Sequence, residues 1–278
     1  MSEIYGFDAF APDQIADRIE KVGVAKARLP LLQTVMLGLL AGGFIGLGAL
    51  YFVLIRSDPS LSYAAGQVMG GVAFSLGLIL VTVAGAELFT GNNLLAMAWA
   101  DSRISTIEML RNWLIVCAAN FVGAAGLALV VFLAGHPQAN QGAIAAQYLK
   151  MASIKCSLSF AAAFFRGVLC NVLVCMAVWM ASAGRSVTDK VLAVVFPISA
   201  FVAAGFEHSV ANMYLIPMAM LLKASGATGP GIESITWGGF ASNLVPVILG
   251  NLVGGSVLVG LVYYLIYRRP KLTISDQG

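Results

Sequence analysis

Glu207 and His208 stand side by side in "GFEHSVANMYLIP" (205–217), and they are the only acidic or basic side chains between Val191 and Leu222. An imidazole exchanges a proton near neutrality, and a carboxylate accepts hydrogen bonds or a proton. Where water is scarce, such groups are costly and mark a pathway or a relay by default. A second carboxylate, Glu87 in "GAELFTGNN" (85–93), is the only charge from Ala64 to Ala100. Three residues on, Thr90 offers a hydroxyl that can bond an imidazole or a small oxyanion. An enzyme built on Glu207 and His208 is disfavoured, because the chain has no second histidine in an apolar segment, no metal-binding cysteine pair and no G-x-S-x-G. No cofactor and no metal site is read from the sequence.

The surroundings of these residues are membrane-grade. Mean hydropathy is +0.88, with 59% of residues apolar and 10% charged. About a quarter of a soluble domain is charged, and ~20 apolar residues suffice to span a bilayer. Six such runs are present: Leu29–Ile55, Ala64–Ala86, Asn112–Gly135, Cys156–Gly184, Val191–Leu222 and Ser234–Tyr267. The fold class is therefore an all-α membrane protein with six transmembrane helices in one channel-sized domain, 29–268, between an N-terminal segment 1–28 and a tail 269–278. Its first partner is the lipid bilayer. The net charge of +3 belongs to loops and tails, so no nucleic-acid partner is implied.

The chain also repeats. Gly85, Glu87 and Asn92 align with Gly205, Glu207 and Asn212, and Asn120, Val122 and Gly123 align with Asn251, Val253 and Gly254. Each repeat (about 29–135 and 156–268) holds three spans, so the second must enter from the opposite face, as an inverted repeat. Ala64 to Ala100 is too long for one straight span, and "ELFTGNN" is rich in turn-forming residues. In the partner segment Gly205 precedes the Glu-His pair, with Pro197 and Pro217 on either side. Helices two and five are thus expected to be broken, and irregular backbone at membrane depth belongs around a wet cavity.

"APDQIADRIEKVGVAKAR" (11–28) reads as an amphipathic helix, with Pro12 in its first turn and Ile15, Ile19 and Val22 on one face; such a helix would lie along the membrane surface. Eleven basic residues fall on the side of the termini and four (Arg56, Lys150, Lys155, Lys223) on the other, with Arg166 within the membrane. That places both termini in the cytoplasm. Cys117, Cys156, Cys170 and Cys175 read as small apolar packers.

Four longer stretches resemble the formate/nitrite transporter family, and its formate channels most closely: "FSLGLILVTVAGAELFTGN" (74–92), "RGVLCNVLVCMAVWMASAGRSVTDK" (166–190), "FVAAGFEHSVANMYLIPM" (201–218) and "NLVPVILGNLVGG" (243–255). The resemblance implies an aquaporin-like fold, although neither break carries Asn-Pro-Ala. It also implies a homopentamer in the bacterial inner membrane, with one pore through each protomer. By the same resemblance His208 and Thr90 face each other at the pore centre, Phe74 and Phe201 form an outer constriction, and Leu78, Leu88 and Val174 form an inner one. Taken without it, these five apolar residues are ordinary core packing.

The remaining polar residues have residue-level readings. Glu87 and Glu207 are expected to accept backbone N–H bonds at the helix breaks, where Asn92 and Asn212 are also read as structural. Asn120 and Asn251 bond across helices. Lys155 is either a snorkelling anchor or an anion funnel at the outer mouth, and Asn171 lines the pore or bonds a broken helix. Arg166 reads as a subunit-interface ion pair. Apolar rings bar charged, hydrated species, and protonation removes most of an anion's desolvation cost. His208 is then the candidate proton partner of a passive, pH-dependent channel for formate. A proton-coupled transporter, or a channel for nitrite or hydrosulfide, fits the same residues.

Overall fold

The computed structural model describes residues 9–269 and is helical almost throughout. In chain order the helices are α1 (Pro12–Ala27), α2 (Leu31–Arg56), α3 (Tyr63–Ile79), α4 (Leu95–Ala100), α5 (Thr106–Leu133), α6 (Ala143–Cys156), α7 (Phe160–Ala183), α8 (Val187–Ala203), α9 (Ser209–Ala224), α10 (Trp237–Leu252) and α11 (Val262–Tyr267). Among the described residues the one β-bridge joins Ala9 to Gly184. A wide-turn π segment carries α3 on to Gly85, and another joins α10 to α11 over Val253–Leu261. Among the described residues five helices are long and apolar enough to cross a membrane: α2, α3 to Gly85, α5, α7, and α10 through α11. The tail, apart from Arg269, lies outside the described residues.

Several boundaries differ from the sequence reading. The third span starts at Thr106, six residues early, because Ser105 and Glu108 close a capping box. Cys156 ends the separate helix α6 instead of opening a span, and Ser159 caps α7 after it. The apolar run Val191–Leu222 is two helices, α8 and α9, parted at Ala204–His208. An N-cap hydroxyl is worth about 1 kcal/mol. Ser105→Ala is therefore expected to lower thermal stability by about that amount while leaving assembly intact, which thermal unfolding of the solubilised protein measures.

Helix α1 lies where the sequence places it, but its apolar face does not rest on lipid. Ile15, Ala16 and Ile19 are buried against Leu94, Met97, Cys175, Trp179 and Val259, whereas Val22 is half exposed. Glu20, fully buried on the same helix, accepts a hydrogen bond from Arg268 Nε at 2.9 Å. The membrane-surface reading is corrected by this docking: protein offers the helix both apolar contact and an ion pair.

Two helix pairs pack closely enough to exclude side chains. A methyl group at Gly123 of α5 would strike the Leu39 carbonyl of α2, and one at Gly254 would strike the Val168 carbonyl of α7. Close backbone approach through small residues is the usual way helices associate when lipid removes the hydrophobic drive. Both contacts bring an asparagine one helical turn away, Asn120 or Asn251, against the facing backbone.

Candidate functional site

Within the apolar runs Ala64–Ala100 and Val191–Leu222 the helical path is interrupted once each. From Gly85 the chain leaves the helix through Ala86, and helical structure returns at Gly91; from Ala203 it leaves through Gly205 and returns at Ser209. Gly85 (φ 87°) and Gly205 (φ 72°) both take the left-handed conformation, which costs glycine little. No atom crowds a Cβ built at either position, so backbone conformation and not space selects glycine there.

Backbone groups freed at each interruption are bonded by one asparagine. Asn120 Oδ1 accepts Phe89 N–H (2.9 Å), while its Nδ2 donates to the carbonyls of Gly38 (2.8 Å) and Glu87 (2.9 Å). Asn251 Oδ1 accepts Ser209 N–H (3.0 Å), and its Nδ2 donates to the carbonyls of Gly167 (2.8 Å) and Glu207 (3.0 Å). Both N–H groups and the oxygen of each amide are engaged, which matters where an unsatisfied group costs several kcal/mol.

The two carboxylates do a different job from the one expected. Glu87 Oε1 pairs with Lys26 Nζ at 2.8 Å and its Oε2 accepts Asn92 Nδ2 at 2.7 Å. Glu207 repeats this with Lys155 Nζ at 2.8 Å and Asn212 Nδ2 at 2.7 Å. Asn92 and Asn212 also donate to Asn112 Oδ1 (2.9 Å) and Asn243 Oδ1 (2.7 Å), and these in turn donate to the carbonyls of Lys26 (3.1 Å) and Lys155 (3.0 Å). The expectation of backbone N–H partners for the glutamates is thereby corrected: the ammonium groups are stronger partners at this depth. Lys155 is correspondingly no free cation; its side chain is 13% exposed and committed to Glu207. Sequence reasoning missed Lys26, Asn112 and Asn243, although a comparison of the repeats at shifted offsets pairs each with its mate.

His208 caps α9. Its Nδ1 accepts the Ala211 N–H at 3.2 Å, and its Nε2 lies 3.1 Å from Thr90 Oγ1. A backbone N–H can only donate, so Nδ1 must present its lone pair and the ring proton sits on Nε2, aimed at Thr90. Phe201 stacks beside the imidazole at 5.8 Å between ring centroids, and Phe74 meets Phe201 edge-on at 5.6 Å. His208, Thr90, Phe74 and Phe201 are thus one cluster, all of them buried.

Two cavities flank this cluster. One of 320 Å³ is lined by Phe74, Phe201, Glu207 and His208, the other of 490 Å³ by Leu78, Glu87, Leu88 and Val178. Their walls correspond position by position: Gly85, Glu87, Leu88, Gly91, Asn92 and Leu95 in the larger, Gly205, Glu207, His208, Ala211, Asn212 and Leu215 in the smaller. Thr90 and Val174 line neither and are buried between other groups. Asn171 also lines neither, which corrects its pore-facing reading. Its amide donates to the carbonyls of Thr90 (3.2 Å) and Asn251 (2.7 Å) and so ties one interruption to the helix that braces the other. Arg166 lines the smaller cavity, and its carbonyl accepts the Glu207 N–H at 3.3 Å. Cys156, Cys170 and Cys175 are buried and unpaired, Cys117 half-buried.

Comparison with known proteins agrees with this geometry. The formate/nitrite transporter family model matches residues 13–265. A protein named formate channel FocA from Escherichia coli (strain K12) is 38% identical over 276 residues, covering 95% of this chain and 97% of its own. A solved pentameric formate channel with formate bound superposes with a TM-score of 0.78 at 35% identity, over 85% of this chain and 97% of that one. A second structure, an FNT family ion channel, gives 0.81 at 30% identity over 91% and 98%. The chain is a membrane protein and belongs to the formate/nitrite transporter family.

Proposed function

We propose that this protein is a passive membrane channel for formate and similar small monovalent anions, assembled as a homopentamer with a pore through each protomer. The observation that carries this reading is the pair of cavities with matching walls, which approach each other at His208 and Thr90. The names of its relatives, formate channels in bacteria, support formate as first choice. At each break the glutamate pairs one oxygen with a lysine and accepts an asparagine amide on the other, which supports two inverted three-helix repeats with helices two and five broken. On that reading α3 with α4 is the second span and α8 with α9 the fifth. Both termini then lie in the cytoplasm, and the His208-side cavity opens outward.

The mechanism follows from the cluster. Phe74 and Phe201 on one side, and Leu78 and Leu88 on the other, exclude hydrated ions between the cavities. The Nε2–H of His208 and the hydroxyl of Thr90 are the polar groups offered to an anion that has shed its water. Acting as a proton donor requires the imidazolium form of His208, and a proton on Nδ1 breaks the bond that caps α9. His208 in its neutral state is therefore a hydrogen-bond donor to formate, and proton exchange is coupled to loosening of the interruption.

Formate, nitrite and hydrosulfide flux into proteoliposomes, with and without a proton gradient, tests this reading. Formate flux down its own gradient alone supports a channel; uphill formate accumulation driven by protons supports a symporter and overturns the passive reading. His208→Asn is close in size and can hydrogen-bond but cannot change charge over roughly pH 4 to 8. It is expected to leave an assembled, open pore whose ratio of electrical current to formate flux no longer follows the parent's pH dependence. A variant matching the parent in both quantities across that range removes His208 as proton partner.

A further inference from the structure

The geometry points to a binding site for small dicarboxylates in the His208-side cavity, where such a dianion is held ahead of the Phe74–Phe201 contact and blocks the pore. This inference rests on the transport reading for its consequence, though not for the binding itself. Five charged side chains line the cavity: Arg56, Lys150, Lys155, Arg166 and Glu207. Lys155 and Glu207 neutralise each other at 2.8 Å. Among the described residues, no ion pair is made by Arg56, Lys150 or Arg166, so three positive charges face a space of 320 Å³ uncompensated.

Arg56 is seated and not merely exposed. Its guanidinium lies 5.5 Å over the Tyr63 ring, and it occupies the gap beside Gly66, where any Cβ would stand 2.6 Å from Nη1. Arg166 has its backbone tied to the same wall, its carbonyl accepting the Glu207 N–H, while the residue as a whole is exposed. The larger cavity on the Glu87 side is poorer in free charge. Its basic lining residues are Arg18, Lys26 and Lys190. Lys26 is spent on Glu87, which leaves Arg18 (over the Phe10 ring, as Arg56 is over Tyr63) and Lys190: two charges facing 490 Å³, against three facing 320 Å³. At the offset of 129 that relates Lys26 to Lys155, the mate of Arg166 is the apolar Leu37, and the mate of Lys150 is Lys21, which pairs with Asp17 at 2.6 Å. The repeats thus match in their polar scaffold and diverge in the charge they present at the two mouths.

A single carboxylate needs one such cation, whereas two carboxylates on a short carbon chain can engage two at once through charge-assisted hydrogen bonds. The cavity of 320 Å³ has room for that skeleton, and its lining includes the edge-to-face Phe74 and Phe201 rings, at 5.6 Å between centroids, against which the longer dianion would lodge. The occupant is accordingly a three- to four-carbon dicarboxylate, with succinate as the probe.

Formate influx is measured in proteoliposomes whose insertion direction is fixed by accessibility of a C-terminal tag. Succinate added on the His208 side is expected to inhibit competitively, and added on the Glu87 side to be at least about tenfold weaker. Succinamate, with the same skeleton and one charge, should be about tenfold weaker on the His208 side as well. Arg166→Gln or Lys150→Gln should each raise the half-blocking concentration about fivefold, and added salt should do the same. Arg185→Gln, a change outside both cavities, should leave the block as it was. Equal block from both faces, or equal potency of succinamate, overturns the site. Calorimetric titration of the solubilised pentamer with succinate gives a readout without transport: heat of binding that Arg166→Gln weakens supports the site even if formate does not permeate. Absence of that heat overturns it even if formate does.

Discussion

Lys155→Met is expected to destabilise the assembled protein by about 3–5 kcal/mol, because it leaves the Glu207 carboxylate buried without its counter-charge. Glu207→Gln strands the ammonium in the same way and should cost a similar amount. Replacing both should recover much of the loss, since the double variant buries no uncompensated charge. Recovery stays incomplete: Asn212 and Asn243 both donate to Glu207 Oε2, and the other half of the new glutamine amide finds only a thioether where the Lys155 ammonium stood. Lys26→Met should cost less, because the Lys26 side chain is 26% exposed against 13% for Lys155, and water can partly replace it. Thermal unfolding and pentamer retention on size-exclusion chromatography measure all four. If Lys155→Met melts like the parent and only loses formate flux at low salt, the lysine is an anion funnel and the ion pair is incidental.

Opening the aromatic contact should have the largest effect on selectivity. Phe201 is 2% exposed, stacks on His208, and meets Phe74 edge-on, so on the proposed function these rings set the width on the His208 side. Truncating a phenyl ring in a closed core costs about 3–5 kcal/mol, but these rings border a cavity that solvent can refill, so folding should suffer less. Phe74→Ala and Phe201→Ala are each expected to raise lactate flux about tenfold or more, the scale on which an apolar pocket discriminates by a carbon or two. Formate flux should change less, because on the proposed function formate already passes. Lactate and formate uptake into proteoliposomes, normalised to assembled pentamer, gives the ratio. An assembled Phe201→Ala protein with the parent's lactate-to-formate ratio removes the rings from the filter.

Much of this architecture is legible in the sequence. Apolar runs longer than a bilayer needs locate the spans, since a chain in lipid must satisfy its own backbone. Glycine with turn-forming neighbours locates both interruptions, at Gly85 and Gly205, because the left-handed conformation they require is a local property. An ionisable residue inside such a run singles out Glu87, Glu207 and His208 without any knowledge of packing. The matching residues around the two interruptions are visible because they keep one spacing, 120 from Glu87 to Glu207.

What tertiary structure decided is which groups meet. Lys26 is 61 residues before Glu87 and Lys155 is 52 before Glu207, so the two copies of this ion pair do not share a spacing in sequence. Helix α6 is hidden for a related reason. Its mate α1 is recognisable by an apolar face, whereas α6 lies between a loop and a span, and only docking against α9 separates it from both. Asn171 reads as lining the pore or bonding a broken helix, because a polar amide in an apolar helix needs a partner. Whether that partner is an anion or the carbonyls of Thr90 and Asn251 depends on where two interrupted helices cross. The chain itself therefore determined where charge and irregular backbone enter the membrane. Their assignment to scaffold or to pathway was left to three-dimensional packing, because hydrogen bonds and ion pairs act over about 3 Å and are blind to distance along the chain.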